Sequence, residues 1–143
     1  MDFYKHTQMA GWFIIGPIGI AIIVTFYFWF ARGHVFSLIT GLIFLAALIL
    51  FISLSVVVDD QSIRMWFGLG LIRKRIPLSE VKSAQPVRNK WYYGWGIRLI
   101  PGGLMYNVAG LDAVELVLAN GREFRIGTDE PQQLNAVIQQ RLR

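Results

Sequence analysis

Two uncharged apolar runs, four residues apart, constrain this chain more than any other feature. Gly11 to Phe30 reads GWFIIGPIGIAIIVTFYFWF and Val35 to Leu54 reads VFSLITGLIFLAALILFISL, 20 residues each without a formal charge. An α-helix needs about 20 apolar residues to cross roughly 30 Å of hydrocarbon, whereas helices of soluble cores average about 11–12 residues and keep a polar face. The runs are therefore expected to be transmembrane helices, about residues 11–30 and 35–54. With only Ala31-Arg32-Gly33-His34 between them, they must turn back as an antiparallel hairpin, Gly33 supplying the backbone freedom of the turn. The first run exceeds the roughly 7–15-residue apolar segment of a cleaved signal peptide, and no small-x-small cleavage site follows, so it is expected to stay in the protein.

The charges divide the chain in the same way. Residues 1–58 contain only Asp2, Lys5 and Arg32, and the other 20 formal charges lie in residues 59–143. An N-terminal tail with two spans (1–58) and a polar domain (59–143) follow as the expected organisation. Arg64, Arg73, Lys74, Arg75 and Lys82 come after the second run, against the single Arg32 at the hairpin tip, and this bias puts the polar domain and both termini in the cytoplasm. Gly16-Pro17 predicts a kink in the first helix. Gly16, Gly19, Ala21, Gly41, Ala46 and Ala47 would let helix backbones approach closely, within the hairpin or in an oligomer. Trp12, Tyr27 and Trp29 fit headgroup-level anchors.

Beyond residue 58 the pattern becomes short alternating segments bounded by Gly, Pro and Asn, the signature of half-buried strands. Ser62–Trp66 and Leu71–Ile76 flank a Gly68-Leu69-Gly70 turn, with Arg73 and Arg75 on one face and Ile72, Lys74 and Ile76 on the other. Val81–Arg88, Ile97–Ile100, Met105–Val108, Ala113–Leu118 and Glu123–Ile126 bring the expected count to about seven, Asn120-Gly121 marking a hairpin between the last two. Glu115 and Glu123 should meet Arg122 or Arg125 across an exposed face. Leu134, Val137, Ile138 and Leu142 then give an amphipathic helix, with Thr128 or Asp129 as cap and Pro131 in its first turn. A helical hairpin followed by a small barrel or sandwich of about seven strands, capped by a C-terminal helix, uses every segment.

Over residues 11–142 this order resembles the bacterial pleckstrin-homology-like membrane proteins. The resemblance is carried by Arg73-Lys74-Arg75-Ile76-Pro77-Leu78-Ser79-Glu80-Val81, Trp95-Gly96-Ile97-Arg98, Asn120-Gly121-Arg122 and Ile126-Gly127-Thr128-Asp129-Glu130-Pro131. It implies a pleckstrin-homology-like domain held at the bacterial inner membrane. Eukaryotic lipid-binding members of the wider superfamily grip inositol phosphates with a basic loop between their first two strands. The corresponding Asp59-Asp60-Gln61 is acidic and would repel phosphate, so the resemblance supports the fold and not phosphoinositide binding.

Catalytic chemistry finds no constellation. There is no cysteine, which removes thiol catalysis, Cys-ligated zinc and iron–sulfur clusters. His6 and His34 are expected on opposite sides of the membrane, where they share neither metal nor proton. No nucleophile elbow, P-loop or zinc-protease motif occurs, and neither an enzyme nor a cofactor is expected. Nucleic acid is not an expected partner, since residues 59–143 carry 12 cations against eight carboxylates with no accompanying motif. The candidate binding residues are instead basic and aromatic: Arg73, Lys74, Arg75, Lys82, Arg88, Lys90, Trp91, Tyr92, Tyr93 and Trp95. Such a surface suits anionic lipid headgroups, a protein partner or a second copy of the chain. The four rings between Trp91 and Trp95 would be costly in water and need the core, the interface or a partner. A non-enzymatic membrane-anchored binding module is the expected function. The alternative is a subunit of a transport or channel complex, although neither span offers an ionisable ligand for an ion path.

Overall fold

The computed structural model describes residues 2–142; Met1 and Arg143, the termini expected in the cytoplasm, lie outside the described residues. In chain order the elements are β1 (Asp2–Met9), α1 (Trp12–Arg32), α2 (Val35–Phe51), β2 (Ser53–Asp59), β3 (Ser62–Phe67), β4 (Ile72–Pro77), β5 (Val81–Arg88), β6 (Gly96–Ile100), β7 (Gly103–Asn107), β8 (Asp112–Leu118), β9 (Glu123–Gly127) and α3 (Pro131–Arg141). The seven strands expected from alternation are β3 to β9.

Two strands correct that expectation. β2 takes the end of the second apolar run: Leu54, Val56 and Val58 enter the core while Ser53 and Ser55 face the other way, a period of two hidden inside a hydrophobic stretch. β1, assigned to a tail, pairs antiparallel with β2 from Lys5↔Val57 to Met9↔Ser53, burying Tyr4 and Gln8. The expected boundary at residue 59 therefore falls on the last residue of a strand, and the sheets draw on residues 2–9 as well as 53–127.

The second helix is correspondingly shorter than its apolar run. α1, with 21 residues, is about 31 Å long at 1.5 Å per residue, and it is the one helix among the described residues long and apolar enough to cross a membrane by length and composition. α2 has 17 residues, roughly 25 Å. The two pack as a pair. Gly33 ends α1 in the left-handed conformation (φ 66°), its N–H bonded to the Trp29 carbonyl. The small-residue contact lies at Gly41, where an added Cβ would come within 2.8 Å of Thr25 Oγ1 and 3.3 Å of the Phe26 ring. Gly16 and Gly19 have no such neighbour, and α1 runs through Pro17 as continuous helix.

The strands form two sheets, ordered β1-β2-β3-β4 and β5-β8-β9-β7-β6, antiparallel except for the β7–β9 pair. They pack as an open sandwich around Leu54, Ile63, Met65, Phe67, Leu116 and Ile126. α3 closes one end by inserting Leu134 and Ile138 into that core, and it lies against β5, β8 and β1. Pro131 occupies its first turn as expected. The cap differs, because Glu130 sits at the N-cap without a side-chain capping bond to the helix and Thr128 Oγ1 instead accepts the Glu130 N–H at 3.1 Å.

Candidate functional site

The geometry of β4 follows from its alternation. Arg73 and Arg75 lie on the outer face of the first sheet, and the register places them in cross-strand rows: Lys5–Val57–Arg64–Arg75 and Thr7–Ser55–Trp66–Arg73. Four cations and an indole thus share one sheet face. Lys74 projects on the opposite side of the edge strand, opposite Met65, and is exposed. Arg64, Trp66, Leu69, Arg73, Lys74 and Arg75 line a concave site of about 550 Å³.

The Asp59 carboxylate bounds this face. Asp59 accepts the N–H groups of Gln61 (2.8 Å) and Ser62 (2.7 Å) and meets Arg64 at 3.0 Å. The Gln61 backbone bond, ahead of the Ser62 bonds and Arg64, holds the carboxyl below its ordinary value. Arg75 Nε donates to Ser62 Oγ at 3.0 Å. Arg73 Nε donates to the Gly70 carbonyl and holds the turn. Among the described residues neither Arg73 nor Lys74 meets a carboxylate, so both charges are available to an external anion.

The turn next to these cations sits at the foot of α2. A Cβ on Gly68 (φ 44°) would press into the Ile49 carbonyl oxygen and lie 2.8 Å from that of Leu50, so β3–β4 turns directly against the end of the helix. Leu69 and Leu71 on that turn are 75% and 76% exposed. Trp12, the first residue of α1, is 82% exposed.

The remaining residues singled out from sequence are dispersed over the second sheet. Arg88 is paired with Asp112 at 3.1 Å. Lys90 lies over the Tyr92 ring at 5.7 Å, and bonding to Tyr92 raises its pKa. Trp91 and Tyr92 remain exposed, so the aromatic loop is not core. Tyr93 lies over the Arg125 guanidinium at 5.9 Å. Trp95 packs on Phe13 of α1, with ring centroids 4.5 Å apart, and donates Nε1–H to the Gly110 carbonyl at 3.1 Å. Lys82 is exposed on β5, in the sheet that does not contain β4.

Beneath the aromatic loop, the Glu115–Arg125 pair corrects its expected exposed setting. Glu115 is buried, Arg125 reaches it with two nitrogens at 2.7 Å, and Gln85 and Asn89 complete the network. Sequence reasoning missed Lys5, Arg64 and Trp66 as members of the basic face. The signal was available only with the β1–β2–β3 register. It also missed that His6 meets Asp129 at 2.6 Å and Glu130 at 3.5 Å, joining β1 to the start of α3. Among the described residues no cluster of three His, Asp or Glu side chains has the spacing of a metal site. The sequence matches no protein-family model and no curated protein.

Proposed function

We propose that this chain is a non-enzymatic integral protein of the bacterial inner membrane. Its α1–α2 hairpin presents the sandwich, read as a pleckstrin-homology-like binding domain, at the cytoplasmic face, and the basic start of β4, next to the β3–β4 turn, engages anionic lipid headgroups. The observation that carries the reading is the order of surfaces from the β3–β4 turn into β4: exposed Leu69 and Leu71 at the foot of α2, then Arg73 and Lys74, which meet no carboxylate among the described residues.

Depth supports it. At about 3.3 Å per residue Arg73 lies roughly 7 Å beyond Leu71, which matches a headgroup layer of about 5–8 Å on each side of the hydrocarbon. Leu69 and Leu71 then dip below the phosphates while Arg73 and Lys74 reach them. Arg75 and Arg64 lie farther out, still within a Debye length of about 8 Å of the surface. At roughly 1 kcal/mol for each basic residue near an anionic leaflet, Arg73, Lys74 and Arg75 contribute about 3 kcal/mol. That suffices to orient a domain already tethered by its helices. The 17 residues of α2 are at the lower limit for a span, a mismatch that local thinning of the bilayer absorbs. The two sheets closed at one end by α3 support the pleckstrin-homology-like reading.

Because the chain has no cysteine, a single Leu71→Cys variant carrying a polarity-sensitive fluorophore tests the arrangement in the full-length protein. In bilayers containing phosphatidylglycerol the label should report an apolar setting. It should shift toward water at about 1 M salt or when Arg73, Lys74 and Arg75 are replaced by Ala. A label equally wet in phosphatidylglycerol and phosphatidylcholine bilayers refutes headgroup docking.

A further inference from the structure

A second concavity, also of about 550 Å³, lies where the helix pair meets β6. Its helix side is apolar: Ile14 and Ile18 stand one turn apart on α1, and Ala47 and Phe51 one turn apart on α2. Its domain side carries Arg98 and Asn107. Asn107 is occupied within its own turn, donating to the Gly110 carbonyl at 3.1 Å and accepting the Ala109 N–H at 3.2 Å. Arg98 spends only Nε, on the Trp95 carbonyl at 2.8 Å, and among the described residues no carboxylate meets its guanidinium. β6 is the edge strand of its sheet, so its outward backbone groups have no strand partner.

We propose that this junction is a binding site for one anionic phospholipid, with the phosphate on Arg98 and the acyl chains along the α1–α2 groove. The inference rests on the membrane reading above. The chemistry of the walls selects the ligand. A polar metabolite would leave four apolar side chains wet, and a hydrocarbon would leave the Arg98 charge without a counter-anion. An amphiphile with an anionic head satisfies both walls, and the groove runs away from the domain toward the hairpin tip, the direction chains take in a bilayer. A volume of this size accommodates the headgroup and upper chain segments, the chains continuing along the helices. The Trp95 ring, fixed by Gly110 and Phe13, forms a rigid rim. The site is distinct from the basic face of the first sheet, since Arg98 belongs to β6 of the second.

The test uses the full-length chain in mild detergent, native mass spectrometry, and phosphatidylglycerol or phosphatidylcholine as added probes. One phosphatidylglycerol should remain bound per chain. Arg98→Gln, at an exposed position, should weaken retention roughly tenfold, the loss expected for one charge-assisted contact, and Ala47→Phe, which fills the groove, should weaken it by excluding the acyl chains. Arg122→Gln, at an exposed cation that does not line this concavity, should leave it unchanged. Equal retention of phosphatidylcholine, or insensitivity to both Arg98→Gln and Ala47→Phe, overturns the site. A chain that resists alkaline carbonate extraction yet retains no lipid overturns the site while leaving the membrane reading intact. A chain released by carbonate overturns both.

Discussion

Removing Glu115 should cost more than any exposed charge in this protein. Glu115 is 6% exposed, and its Oε2 accepts Arg125 Nε and pairs with Nη2, both at 2.7 Å, while Oε1 accepts Gln85 Nε2 at 2.9 Å. The Glu115→Ala variant leaves the Arg125 guanidinium, itself largely buried, with only Asn89 Oδ1 at 3.1 Å and the Tyr93 ring among the described residues. An uncompensated buried charge costs about 3–5 kcal/mol, whereas replacing both partners with apolar groups of similar volume is often neutral. Glu115→Ala should therefore lose about 3–5 kcal/mol, and Glu115→Leu with Arg125→Met should recover most of it. Guanidinium unfolding of the full-length chain in detergent, followed by tryptophan emission, measures both. Because Asn89 and Tyr93 anchor the aromatic loop to Arg125, faster amide exchange across residues 89–95 should accompany the single variant. A loss under about 1 kcal/mol, or a double variant as unstable as the single one, would refute the argument that this pair is desolvated.

Three further outcomes are expected. Asp59 is held below its unfolded value of 3.8 by the Gln61 and Ser62 N–H groups, so its stabilisation is present above that value and lost as pH falls through the lower folded one. Asp59→Ala should destabilise at pH 7 and converge with the parent in strong acid, as acid titration of circular dichroism would reveal. Burial raises the Tyr4 phenol from 10.0 to about 12, with Glu130 adding to it. Stability should thus decline between pH 10 and 12, and Tyr4→Phe should flatten that decline, read against phenolate absorbance. Gly68→Ala combines a positive φ with a backbone clash against Ile49 and Leu50; a loss of about 1–3 kcal/mol in the same unfolding assay is expected, and an unchanged midpoint would show that the turn does not abut α2.

What was legible in the sequence was local. Period-two alternation placed β3 to β9, the Asn120-Gly121 turn joined β8 to β9, and i, i+3, i+4 spacing placed Leu134 and Ile138 in the core. β2 was illegible because Ser53–Val58 continues an apolar helix without punctuation, and hydropathy alone does not separate a buried strand from a span. β1 was illegible because its partner was. The site is hidden for the same reason: without β2 as a strand, no register aligns Lys5 with Arg64 and Arg75. Glu115–Arg125 is one of the cross-strand pairings that alternation leaves open among Glu115, Glu123, Arg122 and Arg125, and its burial depends on a loop folding over the sheet, which pattern does not encode.

The placement of β1 also decides how the domain is joined to the helix pair. β1 and β2 are hydrogen-bonded neighbours, and the Ala10 N–H bonds the Ile52 carbonyl at 2.7 Å where both leave the sheet. The helix pair is therefore an insertion between two paired strands, joined by two residues on one side and one on the other. Linkers this short do not act as flexible tethers. A second tie runs from the Gly11 N–H to the Val108 carbonyl, and Trp95 packs on Phe13, so both sheets are fastened to the foot of α1. The tilt of the helices thus sets the height of the β3–β4 turn, so that in the membrane setting proposed above Leu69, Leu71, Arg73 and Lys74 would reach the headgroups as a unit or not at all. The same connectivity makes residues 59–143 a poor proxy for the domain, since that fragment lacks β1 and all but the last residue of β2. It would expose the edge of β3 and uncover Ile63, Met65 and Phe67, and it should aggregate where the full-length chain does not.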